Sequence, residues 1–381
     1  MYGFNSFYFI FLLAFFVYAV ILAFLFGGKL NNEENEKKTA FIFLLFLPLF
    51  LLSALRGEEV GGDLEYYIPY FDDACQAESF SDLMQISGHE PGYIIFTKLI
   101  GSISSSHRFF LLVTSAVSLI GPACFICKFS TNPIASVMIY YSMGFYTNSF
   151  NNIRQAIAMS IIFCAYPLLF DKRFKQFLGL VLLATLFHYS AFIIALVYPI
   201  IKKEISLEKM FSFLVLGVTL FLILGSSLLS FFVDIINLIY MKYDFGLGEE
   251  QSAGWGLLAF YFIILLMMGI VLLLVEDYIT QFQKYVFSFL FLFQMLAVLT
   301  QMYAPIFPSM TRITQYFFIP VTLSIPYICS LIKDELFKTS VAAFVFVIAF
   351  VFFSMTYSHS VDIDSNTQGV IPYVFLDTEI F

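Results

Sequence analysis

The sequence predicts an all-α, polytopic integral membrane protein with about 12 helical membrane segments, and three observations carry that prediction. The 381 residues are 60% hydrophobic and only 12% charged, with a mean hydropathy of +0.89. A bilayer solvates that much apolar surface, whereas a soluble core cannot enclose it. Apolar runs of roughly 20 residues, the length that crosses a hydrocarbon core, recur from one end of the chain to the other. The basic residues also sort by side once the runs are threaded through a membrane.

The apolar runs fall at 7–26, 39–55, 109–127, 133–149, 154–170, 175–187, 190–201, 210–233, 255–275, 284–303, 313–332 and 338–356. The first is too long for a signal-peptide core, has no basic residue before it and is followed by Lys29. An uncleaved first helix with an outward N-terminus is expected. Gly92 to Ser106 is short and moderately apolar, which suits an interfacial or re-entrant helix. Read as one helix, 175–201 would put Lys202, Lys203 and Lys209 outside. A break at His188-Tyr189-Ser190 gives two short helices in a hairpin and returns those lysines to the inside. Each half reaches only about 19 Å at the helical rise and needs protein around it.

With that threading, thirteen of the nineteen basic residues lie inside and seventeen of the twenty-seven carboxylates outside, as the positive-inside rule requires. Lysine carries the bias, since twelve of the fourteen lysines face in while four of the five arginines face out. The expected organisation is a single transmembrane helical domain over 1–356, with outward loops 56–91 and 234–254 and an outward tail at 357–381. Both termini are expected outside. The net charge of −8 follows this sidedness rather than a general preference for cationic partners.

Chemistry is limited to a few residue types. There is no G-x-x-x-x-G-K-[ST] loop and no plausible G-x-G-x-x-G turn, so the energy for a reaction must come from an already activated substrate. Cys124-x-x-Cys127 lies in a span without a second ligand pair and reads as packing. No metal, no other cofactor and no nucleic-acid partner is expected.

The outward arginines stand out. Arg56 ends the second span, Arg154 opens the fifth and Arg312 opens the eleventh. Arginine near the apolar layer is costly, and its planar fork suits phosphate or carboxylate. Arg154 follows Asn148-Ser149-Phe150-Asn151-Asn152, at a helix start where backbone N–H groups also favour anions. For each one the alternative is snorkelling or pairing with a nearby carboxylate.

Asp63, Tyr66 and Tyr67 follow the Gly61-Gly62 turn and suit sugar hydroxyls and sugar faces, with an ordinary acidic loop as the alternative. Glu90 precedes a helix-starting proline and could simply cap. His188, alone among the four histidines in lying within an apolar run, could accept a proton or could pack. His89, His107 and His359 have no comparable setting.

The chain resembles the EpsG-type family of polysaccharide polymerases, akin to Wzy O-antigen polymerases. The resemblance rests on ordered blocks over most of the chain. They are Leu55-Arg56 with Gly62-Asp63 and Tyr67, Glu90-Pro91-Gly92-Tyr93, Asn152-Ile153-Arg154-Gln155-x-Ile157-Ala158, Phe187-His188-Tyr189-Ser190-Ala191, Arg312 with Tyr316-Phe317, and Pro372-Tyr373. The doubled Glu58-Glu59 and Gly61-Gly62 depart from the family pattern and leave the presentation of Asp63 open.

The resemblance implies a GT-C-like helical architecture in a bacterial inner (cytoplasmic) membrane, with the active side facing the periplasm or cell exterior. It implies an undecaprenyl-pyrophosphate-linked oligosaccharide as substrate, inversion at the anomeric carbon and a chain-length regulator protein as partner. On this reading Arg154 and Arg312, with Arg56 as a third donor, take the pyrophosphate. His188 is the first choice of base, followed by Asp63 and Glu90, and Tyr66 and Tyr67 hold sugar. The alternatives are an O-antigen ligase using the same donor, and a flippase of the lipid-linked oligosaccharide.

Overall fold

The computed structural model describes residues 6–26, 35–86, 88–201, 207–239, 252–305, 307, 310–358, 370 and 373–374. Helix is the only regular structure along these residues. The helices are α1 Ser6–Leu25, α2 Asn35–Ala54, α3 Leu64–Gln76, α4 Phe80–Ile86, α5 Pro91–Ile103, α6 His107–Phe129, α7 Pro133–Ser142, α8 Phe145–Asn151 and α9 Ile153–Phe170. They continue as α10 Phe174–Thr185, α11 Ile193–Ile201, α12 Leu207–Ile239, α13 Ser252–Val275, α14 Gln281–Gln301, α15 Met310–Phe318, α16 Val321–Leu331 and α17 Glu335–Ser358.

Among the described residues, eight segments are long and apolar enough to cross a membrane: α1, α2, α6, α9, α13, α14, the stretch Met310–Leu331 and α17. The other four expected segments depart from the lengths expected. Residues 175–187 become α10, 190–201 become the 3₁₀ turn Tyr189–Phe192 followed by α11, and 210–233 fall inside the longer α12. The expected span 133–149 is corrected. It breaks into α7 and α8 at Gly144, whose φ of 73° is the left-handed conformation that glycine adopts without a Cβ clash. Met310–Leu331 breaks at Ile319-Pro320 because proline cannot donate to the preceding turn.

Local signals explain the helix ends. Asn132 caps α7 by accepting from Ala135 N–H at 3.2 Å, with Pro133 in the first turn. Thr280 and Gln283 form a reciprocal capping box at the start of α14. Lys98 donates to the carbonyls of Ala74 and Ala77, satisfying the end of α3.

The chain divides into two compact units, Met1–Phe192 with Thr339–Phe381, and Ile193–Lys338. In the second, α14 is the central helix, packed by α12, α13, α15 and α16. In the first, α6 packs against α2 and α9, and α9 also carries α10. Helices in lipid gain little from apolar burial against one another and rely on close backbone approach and polar contacts. Gly121 of α6 supplies that approach, since a Cβ there would lie 2.1 Å from the Ser160 carbonyl oxygen of α9. Its N–H donates to Ser160 Oγ at 2.9 Å, and Ser160 Oγ donates to the Val117 carbonyl at 2.6 Å.

Residues 56–91, expected as a loop, carry α3 and α4 and pack as a layer. Leu64, Tyr67, Phe71, Leu83 and Tyr93 join Phe110 of α6 and Ile157 of α9 in one apolar cluster. The tail is tied to the same end of this unit. Tyr8 Oη donates to the Val370 carbonyl, Tyr373 Oη to the Leu52 carbonyl, and Gly57 N–H to the Val374 carbonyl. The start of α1, the end of α2, the 56–91 layer, the starts of α6 and α9 and residues 370, 373 and 374 therefore share one end of this unit. Most of the expected loop 234–254 and of the tail 357–381 lies outside the described residues, as do Lys202 and Lys203.

Candidate active site

Four chain segments meet at the pair formed by Glu90 and Arg154, the second residue of α9. Glu90, between α4 and α5, is 1% exposed and places Oε2 at 2.5 Å from Arg154 Nη1. Arg154 Nε donates to Tyr67 Oη at 3.4 Å, which brings in α3. The second oxygen of Glu90 accepts from the Tyr189 N–H at 3.4 Å, in the turn after α10. Glu90 occupies the N-cap position of α5 in extended backbone but makes no side-chain cap bond, so capping does not account for it. Arg154 keeps 21% of its side chain exposed, leaving further guanidinium donors at the open edge of the pair.

The turn that carries His188 is held by backbone contacts. Gly92 N–H donates to the Leu186 carbonyl at 2.8 Å, and a Cβ on Gly92 would stand 2.7 Å from that oxygen. Only glycine allows such an approach. His188 is 7% exposed, with Nδ1 2.6 Å from Ser190 Oγ. Phe187 packs on Phe96 of α5 with ring centroids 5.8 Å apart.

His89 completes the neighbourhood. Its half-buried ring lies 4.5 Å from Tyr70, 5.4 Å from Tyr93 and 6.3 Å from Tyr67, centroid to centroid. Burial, reinforced by the Arg154 charge, pushes its pKa down to about 4, so it is neutral at pH 7. Burial raises the pKa of the Tyr67 phenol, against the opposing pull of Arg154, and it stays protonated.

A family model described as the EpsG family matches residues 39–375. The chain belongs to the EpsG family. No curated protein and no solved structure matches it. EpsG proteins are Wzy-like polysaccharide polymerases, and this one is accordingly a polysaccharide polymerase-type membrane protein.

In this EpsG protein Glu90, Arg154, Tyr67 and the His188 turn come together, and Asp63 joins them at the start of α3, half-buried with its charge acting on Tyr67. Tyr66, one position before Tyr67 on α3 and so about 100° around the helix from it, is 68% exposed. Arg56 is 1% exposed. Its Nη1 donates to the Ser53 carbonyl at 2.6 Å and reaches Ser53 Oγ and Ser115 Oγ at 2.9 and 3.3 Å, while the guanidinium lies 4.7 Å from the Phe150 ring centroid. Arg312 belongs to the second unit, on an exposed face of α15.

Two settings escaped the sequence reading. One is the tyrosine surround of His89, for which the only sequence signal is adjacency to Glu90. The other is His107, which opens α6 with Nδ1 2.6 Å from Glu58 and Nε2 2.8 Å from Asp72. That pairing ties the 56–91 layer to a membrane helix.

Proposed function

We propose that this EpsG protein is a glycosyltransferase that joins repeat units of a bacterial surface polysaccharide (O-antigen, capsule or exopolysaccharide). It uses undecaprenyl-pyrophosphate-linked oligosaccharide on the outer face of the inner membrane. The observation that carries the reading is the buried Glu90–Arg154 pair at the start of α9, which fixes a guanidinium with an open edge beside the His188 turn.

The bond from the anomeric carbon to the pyrophosphate oxygen breaks, and the acceptor sugar hydroxyl forms the new glycosidic bond with inversion. The hydroxyl proton passes to a base, and undecaprenyl pyrophosphate leaves. Arg154 meets the charge that builds on the leaving group, a task that arginine can perform where other transferases use a divalent metal. His188 is the proposed base, with Asp63 the other candidate within the layer. Tyr67 orients Arg154 through its Oη, and Tyr66 offers an exposed ring to sugar. Arg56, buried against Phe150, supports the junction that leads into Arg154 instead of reaching the substrate.

The test is complementation. In cells lacking their own polymerase gene, Arg154→Ala is expected to leave single repeat units where wild type restores long polymer. Normal long polymer from that variant would overturn the reading.

A further inference from the structure

We infer that Glu90 is a positioning residue, one carboxylate that sets both Arg154 and the turn presenting His188. The inference rests on the proposed polymerase reading and assigns Glu90 a task other than proton transfer. Three features point to it. Both carboxylate oxygens are already engaged, Oε2 by Arg154 Nη1 and Oε1 by the Tyr189 N–H. The carboxylate is 1% exposed, out of reach of a sugar hydroxyl arriving from outside. The adjoining Gly92 grips the same turn through the Leu186 carbonyl, so the Glu90-Pro91-Gly92 segment holds residues 186–189 at two points.

The contacts join segments far apart in the chain. Glu90 and Arg154 are 64 positions apart, and Glu90 and Tyr189 are 99 apart. One charge therefore fixes the distance between the guanidinium proposed to bind phosphate and the proposed base. Small displacements of such groups are costly, about 100-fold in rate for a shift near 1 Å. A carboxylate beside Arg154 also prevents the guanidinium from swinging to another acceptor, because a buried charge without a partner is strongly unfavourable.

The experiment uses full-length protein purified in detergent, with lipid-pyrophosphate-linked oligosaccharide, and compares Glu90→Gln with wild type alone and in an Arg154→Ala background. Glutamine keeps the shape and an acceptor oxygen but removes the charge. A positioning role predicts kcat lowered about 10- to 100-fold, an unchanged pH profile and a smaller further loss once Arg154 is gone, when only the contact to the Tyr189 N–H is left to lose. A flattened acidic limb of the profile, or an undiminished further loss in the double variant, would make Glu90 the base and overturn the inference. Hydrogen exchange of the 184–191 backbone gives a readout independent of activity, and Glu90→Gln should speed it. Unchanged exchange there would also overturn the inference. Wild type that fails to lengthen the oligosaccharide overturns the polymerase reading instead, and the exchange result still decides the clasp.

Discussion

Arg56 holds its guanidinium 4.7 Å from the centroid of the Phe150 ring, so the residue that closes the second span is locked to the junction four positions before Arg154. The same junction receives Gly61, whose φ of 122° and missing Cβ allow it to sit against the Phe150 carbonyl. A cation–π contact in a desolvated place is worth about 2 kcal/mol, and the hydrogen bonds to Ser53 and Ser115 add to it.

Arg56→Ala is therefore expected to lower stability by about 2–4 kcal/mol, read as an earlier thermal melt in detergent. A substrate-facing donor would behave differently, with activity lost and melting unchanged. Burial brings the pKa of Arg56 down to about 10, which still leaves it charged at neutral pH.

The α6–α9 contact gives a second prediction. At Gly121 a methyl group would meet the Ser160 backbone at 2.1 Å, and backbone cannot rotate away as a side chain can. Gly121→Ala should cost about 1–3 kcal/mol or more through forced separation of the two helices, seen as reduced folded yield and a lower melting temperature. Gly179, where nothing lies within 4 Å, is the matched control, and Gly179→Ala should leave both unchanged.

Arg154→Lys tests whether geometry or charge matters. Lysine keeps the charge but cannot reach Glu90 and Tyr67 at once while offering a planar edge to a ligand. The variant should retain about 1% of wild-type turnover or less, by analogy with loss of a donor to developing charge. Turnover near wild type would show that a point charge is sufficient.

His89 sets a pH dependence of stability. Its imidazole takes up a proton near pH 4 in the folded protein and near 6.5 in the unfolded chain. Between those values the unfolded chain binds more protons, so stability rises with pH across the window. The contribution is fully present above about pH 6.5 and is lost as pH falls toward 4. Melts in detergent should show this decline in wild type and a weaker one in His89→Gln. An identical decline in both would remove His89 as its source.

The spans are legible because the bilayer imposes a length on every apolar run, and the break at His188-Tyr189-Ser190 because an unbroken 175–201 puts Lys202, Lys203 and Lys209 outside; the break at Ile319-Pro320 falls inside the expected span 313–332. Gly144 was read through as part of a span, since a glycine inside an apolar run signals a break only when its backbone turns left-handed. The 56–91 layer reads as loop in the sequence because α3 alternates charged, tyrosyl and apolar residues without a long apolar run. Its helical packing depends on Phe110 and Ile157, which belong to other helices.

Within the site, the sequence by itself picked out Arg154, Glu90 and His188, since charged or titratable groups at the edges of apolar runs are costly and need a reason to be there. Only the tertiary structure decided what each one faces. It paired Glu90 with Arg154, buried Arg56 beneath Phe150, surrounded His89 with tyrosines and set His107 between Glu58 and Asp72. Periodicity encodes which side of a helix a residue occupies but not which distant helix covers that side. Apart from the contacts of His89 with Tyr67, Tyr70 and Tyr93, every one of these partnerships spans at least 35 positions of chain.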